Sequence, residues 1–275
     1  MGECPLDALC RISQLPVEVV NDAASKGAVW VSLQRGRGRT RPRRLRSALT
    51  PVKEGSSVML NYNPRVLATQ PQAMWCVSDQ VNYGIWFKPA GMLCQGSKWS
   101  DHTTATEVAA GICDKSCYLV HRLDRAACGL LVLAYTNNAL RRLADMFAQR
   151  QISKTYSARV NGDFTLDLPM TLNSPIDDKS AITTIHGKLF DSENQSTTLR
   201  ISIATGRKHQ IRKHLASIGY PIVGDRLYEG KSTIHSQTIN LQLVAQELNF
   251  KCPFTLEEVA VAIDSEKALI GELSV

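Results

Sequence analysis

The sequence contains no run of apolar residues long enough to span a bilayer. It has no Walker phosphate loop, and Gly36-Arg37-Gly38 is no dinucleotide fingerprint, because no strand–helix unit frames it. The Gly-x-Ser-x-Gly elbow of a hydrolase is missing too. Cys113 and Cys117 lack a second ligand pair at zinc spacing, and the 6 histidines supply none, so no metal site is expected. The 8 cysteines are scattered from Cys4 to Cys252, unlike the dense framework of a small disulfide-bonded secreted domain. The opening Met-Gly-Glu-Cys-Pro-Leu-Asp carries no apolar signal segment, which predicts a reducing, cytoplasmic address and no membrane partner.

What is present is an ordinary globular composition, 44% hydrophobic and 21% charged, which suffices for a sizeable core. At 275 residues, one large domain with a small appendage fits the length. The net charge of +7 is concentrated: residues 35–46 hold seven arginines and no acid, and without them the chain balances to zero. Such a block suits nucleic-acid phosphates, an attraction that needs no particular base sequence. A solvated arginine loop is the alternative, and the glycines and proline in the run argue against a helix there.

Residues 16–33 predict a short helix, stopped by Gly27, and then a strand from Ala28 to Val31. Residues 58–62 read as a second strand and 64–71, rich in proline and polar residues, as a linker. The larger part begins near Trp75. Residues 83–88 form a strand candidate stopped by the turn Pro89-Ala90-Gly91, and 130–134 is an apolar run of buried-strand length. A helix follows, with Asn137 or Asn138 as its cap and Leu140, Leu143, Ala144 and Phe147 as its apolar stripe. Residues 154–160 and 199–203 alternate as strands do. A second helix is expected over 208–218, with Ile211, Leu215 and Ile218 inward and Gly219 at its end. Strands interspersed with few helices indicate an α+β fold, divided into an N-terminal basic region, 1–70, and a larger domain, 75–265.

One polar cluster stands against these apolar strands. His121-Arg122-Leu123-Asp124-Arg125 precedes Gly129 and the apolar run. A carboxylate flanked by two arginines is kept ionised, as a nucleophile or base requires. A turn aspartate locked in salt bridges fits the same local pattern.

His121-Arg122-Leu123-Asp124 followed by Gly129-Leu130-Leu131-Val132-Leu133-Ala134 resembles the signature of the RluA-type pseudouridine synthases. Three further motifs match in the family's order. They are Lys88-Pro89-Ala90-Gly91, Lys154-Thr155-Tyr156, and the block from Thr205-Gly206-Arg207 through His209-Gln210-Ile211-Arg212 to Gly224-Asp225 and Tyr228. The resemblance covers roughly 80–255. It implies a mixed, mainly antiparallel central sheet flanked by a few helices, and isomerisation of uridine to pseudouridine in RNA without cofactor. Residues 1–70 resemble an S4-type RNA-binding domain through Gly27-Ala28-Val29-Trp30-Val31 and Glu54-Gly55 before a strand, an α/β appendage.

By that resemblance Asp124 attacks the ribose or base, or assists glycal formation; both routes stay open. Glycoside hydrolysis normally uses two carboxylates, whereas a single aspartate suits a reaction whose leaving base never departs. Tyr156 would stack on the flipped uracil and help remove the C5 proton, and Arg212 would pair with Asp124. Arg122 would fill the gap left by the flipped nucleotide, with His121, Lys88, Arg207, His209 and Gln210 forming the substrate-binding surroundings. Arg37, Arg39, Arg41, Arg43 and Arg44 would meet the RNA backbone. The partner is ribosomal or transfer RNA, and the chain is expected to be a monomer. Ala127-Cys128 replaces the family's Thr-Ser, and this favours one alternative, an RNA-binding protein of the same fold with weak or no catalysis.

Overall fold

The computed structural model describes residues 4–35, 38–230, 233–234 and 237–270. The chain divides into two units, residues 1–72 with 95–108, and residues 73–94 with 109–275.

In the first unit, α1 (Pro5–Ser13) opens on a proline, whose fixed φ suits a first helical turn. α2 (Val17–Ser25) buries Val20, Ala23 and Ala24. Both helices cover one face of a three-stranded antiparallel sheet, through a core of Leu6, Leu9, Val20, Ala24, Val29, Val31 and Leu45. In that sheet β1 (Val29–Ser32) is central. β2 (Gln34–Arg35) and β3 (Gly38–Arg39) form a hairpin, after which β4 (Arg43–Arg44) and β5 (Ser57–Leu60) flank β1. The expected linker at 64–71 contains a helical turn, α3 (Pro64–Leu67), because the Asn63 side chain accepts the Val66 N–H and proline fits the first position.

The arginine run splits in two. Arg39, Arg41 and Arg43 are exposed, while Arg37 lies outside the described residues. Arg44 and Arg46 both close on Asp101, Arg44 through Nε at 2.7 Å and Arg46 through two nitrogens at 2.6 and 2.8 Å. Arg44 is therefore a strut of this unit.

In the second unit, β6 (Trp75–Asp79) and β7 (Tyr83–Lys88) are antiparallel. α4 (Ala105–Cys113), whose first four residues belong to the first unit, and β8 (Tyr118–Leu119) precede β9 (Cys128–Ala134), every residue of which is buried, as its unbroken apolar run requires. α5 (Asn137–Ala148) follows. Its cap is Thr136, which accepts the Ala139 N–H, in place of the expected Asn137 or Asn138. Its buried face is Ala139, Leu143 and Met146, one position off the expected stripe, and Leu140, Ala144 and Phe147 are half-buried. The helical period admits both stripes in the sequence, and docking against the sheet selects one.

β10 (Ser153–Asn161), β11 (Met170–Leu172), β12 (Thr183–Asp191) and β13 (Ser196–Ile203) come next, then α6 (Gln210–Ser217). β14 (Thr233–Ile234) and β15 (Gln237–Thr238) pair with each other, before β16 (Leu243–Lys251), β17 (Glu258–Ala262) and α7 (Ser265–Ile270). The sheet runs β11-β12-β13-β10-β16-β9-β7-β6, with β17 on β16 and β8 on β9. Among the described residues β9–β16 is its one parallel pair, so the fold is α+β with a mixed, mainly antiparallel sheet.

That parallel contact explains Gly129. Its φ is +118°, and a Cβ there would meet the backbone of Ala245. α6 starts later than expected, because His209 takes a left-handed φ of +57°. It buries Arg212 and His214 along with Ile211 and Leu215, whereas Ile218 is only half-buried. Its end is a Schellman cap, with Tyr220 N–H on the Leu215 carbonyl and Gly219 N–H on that of Ala216, both at 3.0 Å.

Candidate active site

A cleft of about 520 Å³ opens in the second unit. The 121–127 loop before β9, Tyr156 on β10 and the 206–212 segment leading into α6 line it. Asp124 stands on its wall with its side chain 19% exposed. Its Oδ2 lies 3.5 Å from Arg212 Nη1 and its Oδ1 3.9 Å from His209 Nε2, and among the described residues these are the basic side chains within 4 Å of it. The flanking arginines do not serve it. Arg125 donates its Nε to the Gly91 carbonyl at 2.9 Å, and Arg122 is exposed on the cleft wall.

Arg212 owes its aim to a second carboxylate. Its Nε and Nη2 both bind Asp225 at 2.7 Å, a bidentate fork inside the protein, which leaves Nη1 for Asp124. Burial disfavours the guanidinium charge, but Asp225 and then Asp124 outweigh this and raise its pKa. His209 is backed in turn by Tyr228, whose hydroxyl lies 2.9 Å from Nδ1. Burial lowers the His209 pKa despite the nearby Asp124 charge, so at neutral pH its contact with the carboxylate is that of a neutral ring. Asp225 and Tyr228 had no role assigned from sequence, although both stand in the stretch that follows the Arg212 motif.

Tyr156 is buried in the middle of β10. Burial, and then the Asp124 charge, push its phenol above the usual range, so it stays protonated. His121 accepts the Val132 N–H on Nε2 at 3.0 Å and stacks on Phe147 at 4.3 Å. Burial, with Lys154 adding to it, lowers its pKa to about 3, which keeps the ring neutral. Gln210 uses its amide internally, accepting from Thr205 at 2.7 Å and the Arg207 N–H at 3.0 Å and donating to Ile182 at 2.9 Å. Arg207, exposed, donates its Nε to Ser180.

Lys88, grouped with the substrate-binding residues by sequence, is 0% exposed and lies beneath the cleft. Its ammonium donates to the carbonyls of Pro89, Met92 and Ala127 at 2.8, 3.0 and 2.6 Å. It thus ties the turn after β7 to the Asp124 loop. Burial lowers its pKa to about 8.

The two departures from the family pattern face opposite ways. Ala127 lines the cleft. Cys128 turns into a core of Phe87, Val244 and Ala268, where burial pushes its thiol up to about 11. Among the described residues no group of three or more His, Cys, Asp or Glu side chains could hold a metal ion. No described helix is long and apolar enough to cross a membrane.

A family model described as RNA pseudouridylate synthase matches residues 82–217, which takes in Asp124, Tyr156 and Arg212. The dual-specificity RNA pseudouridine synthase RluA of Escherichia coli strain K12 is 30% identical over 220 residues, 71% of this chain and 98% of that protein. Its Yersinia pestis counterpart is 37% identical over 142 residues, 47% of this chain and 68% of that one. The chain belongs to the RNA pseudouridine synthase family. As a member, it is an isomerase that modifies RNA. The synthase's fold also matches human RNA pseudouridylate synthase domain containing 1, with a TM-score of 0.57 at 20% identity, covering 71% of this chain and 86% of that one. Asp225 and Tyr228 of the synthase lie beyond the family match, which ends at residue 217.

Proposed function

We propose that the synthase isomerises specific uridines in structured ribosomal or transfer RNA, with Asp124 as nucleophile and no cofactor. The observation that carries this is the Asp124 carboxylate on the cleft wall, faced by the one Arg212 nitrogen that Asp225 leaves over. In the reaction C1′–N1 breaks and C1′–C5 forms, while the proton on C5 leaves and N1 gains one. Nothing is added or removed, so the balance needs no oxidant, water or group donor. Asp124 attacks the ribose or the base, or assists glycal formation. Arg212 offsets its charge throughout, in a site where water screens little.

Tyr156 stacks on the flipped uracil. Its phenol, kept protonated by burial in the resting site, also helps the C5 proton leave once the uracil is bound. Arg122, exposed at the cleft, fills the space the uridine leaves, an exchange that offsets an unstacking cost of a few kcal/mol. His121, Gln210 and Lys88 act through the backbone they hold, and Arg207 and His209 line the path of the RNA.

Residues 1–70 form an S4-like RNA-binding region in this reading, with Arg39, Arg41 and Arg43 on phosphates, and residues 75–265 form the catalytic domain. The synthase works in the cytoplasm as a monomer. The relatives' dual specificity suggests more than one RNA for this chain too. Mapping pseudouridine across ribosomal and transfer RNA from cells lacking the protein tests this. Discrete positions should lose the modification and regain it when the purified chain is added, and an unchanged map would overturn the substrate assignment.

A further inference from the structure

The helices of the first unit cover one face of its sheet, and the other face carries a second pocket. Directly paired residues of an antiparallel sheet point to the same side. Trp30 pairs with Arg44 on β4 and Met59 on β5, and Ser32 pairs with Ser57. This face therefore presents a row of Arg44, Trp30 and Met59 beside a row of hydroxyls. A pocket of about 270 Å³ opens on it, lined among others by Trp30, Met59, Asn61, Pro42 and Lys98. No acid lines it among the described residues.

The indole is held in place beforehand. Its Nε1 donates to the Lys98 carbonyl at 2.9 Å, and the Arg44 guanidinium lies 4.4 Å from its ring centroid. Arg44 is fixed in turn by Asp101 and by the carbonyls of Gly27 and Ser97. Met59, beside it, is 60% exposed and extends the apolar surface next to the aromatic ring. A flat apolar floor, an immobilised aromatic edge, amide and hydroxyl groups at the rim and cations around it are the parts that hold an unpaired nucleobase. The cations Lys98, in the lining, and Arg41, exposed next to Pro42, suit the phosphates on either side.

We infer that this pocket seats one unpaired base of the RNA substrate, against Trp30 and Met59, as a contact separate from the uridine in the Asp124 cleft. The inference rests on the reading that the substrate is RNA, and it goes beyond phosphate attraction because a basic loop alone would need no ring-sized pocket.

The test is ultraviolet cross-linking of the full chain to a single-stranded RNA of about 12 nucleotides, with the adducts located by peptide mass spectrometry, alongside RNA affinity of Met59→Glu and Met59→Leu. Met59 is exposed, so neither variant endangers folding. Adducts on Trp30 or Met59 are expected, with affinity about 10-fold weaker for Met59→Glu and unchanged for Met59→Leu. Asp124→Asn should keep those adducts. Adducts confined to peptides of the Asp124 cleft, with Met59→Glu binding as the wild type does, would overturn the pocket while leaving the enzyme reading intact. Absence of any adduct or binding would overturn the pocket, while the enzyme reading falls only if the pseudouridine map is unchanged as well. A self-associating chain that Met59→Glu returns to monomer, with RNA affinity unchanged, would assign the face to a second copy and overturn the inference.

Discussion

At the residue scale, the site turns on how a buried arginine is aimed. With two of its nitrogens held by Asp225, Arg212 has one direction left, and Asp124 lies along it. Asp225→Asn would leave the buried guanidinium with only the more distant Asp124 as a counter-charge, a change that costs about 3 kcal/mol. Turnover should fall about 10²-fold through misplacement, with RNA affinity unchanged; denaturant unfolding and single-turnover assays measure the two effects. His121 gives a pH signature. Its pKa falls from 6.5 in the unfolded chain to about 3 in the fold, so the unfolded state binds the proton first. The stabilisation is whole above 6.5 and is lost as pH drops toward 3. Unfolding midpoints across that window should show the loss, and His121→Gln should flatten it. Asp124, Tyr156 and Arg212 were legible as motif residues. Asp225 stood in the last motif without a role, because what gives it one is a bidentate pairing that exists only once the chain has turned back on itself.

At the element scale, continuous apolar runs were readable. The expected strands at 83–88 and 130–134 appear as β7 and within β9, buried throughout. Short elements stabilised by their surroundings were not, among them α1 and the turn α3. The expected cap and stripe of α5 were each displaced by one position, since propensity there allows neighbouring solutions and packing chooses. Gly129 shows the reverse, a sequence feature whose reason appears only in the fold. Gly129→Ala should cost about 3 kcal/mol or more, since it adds strain at a positive φ and a collision with β16. Gly111, within α4, has nothing within 4 Å of an added Cβ, so Gly111→Ala should be neutral or stabilise by up to about 1 kcal/mol. Equal losses in urea midpoints for the two variants would contradict this account of Gly129.

At the scale of the whole molecule, the strand order of the large sheet was beyond the sequence, because pairings such as β9 with β16 join segments more than a hundred residues apart. Charge was legible as a block but not as a division of labour. Replacing Arg39, Arg41 and Arg43 with glutamine should lower the salt dependence of RNA affinity, by about one unit of slope for each phosphate no longer neutralised, with little change in stability. Replacing Arg44 and Arg46 should destabilise the first unit, because Asp101 is then buried without either partner. Salt titrations of RNA binding beside thermal unfolding would separate the two groups, and an unchanged slope in the first set would make that part of the run a passive loop.

In the proposed mechanism one aspartate carries the isomerisation. Tritium release from RNA labelled at C5 of uridine tests it most directly, since that hydrogen leaves only when C5 takes up the sugar. Release by the wild type is expected, with a loss of about 10⁴-fold or more in Asp124→Asn, which keeps the side chain's shape and its place on the cleft wall. Undiminished release by Asp124→Asn, or none by the wild type from any cellular RNA pool, would contradict it.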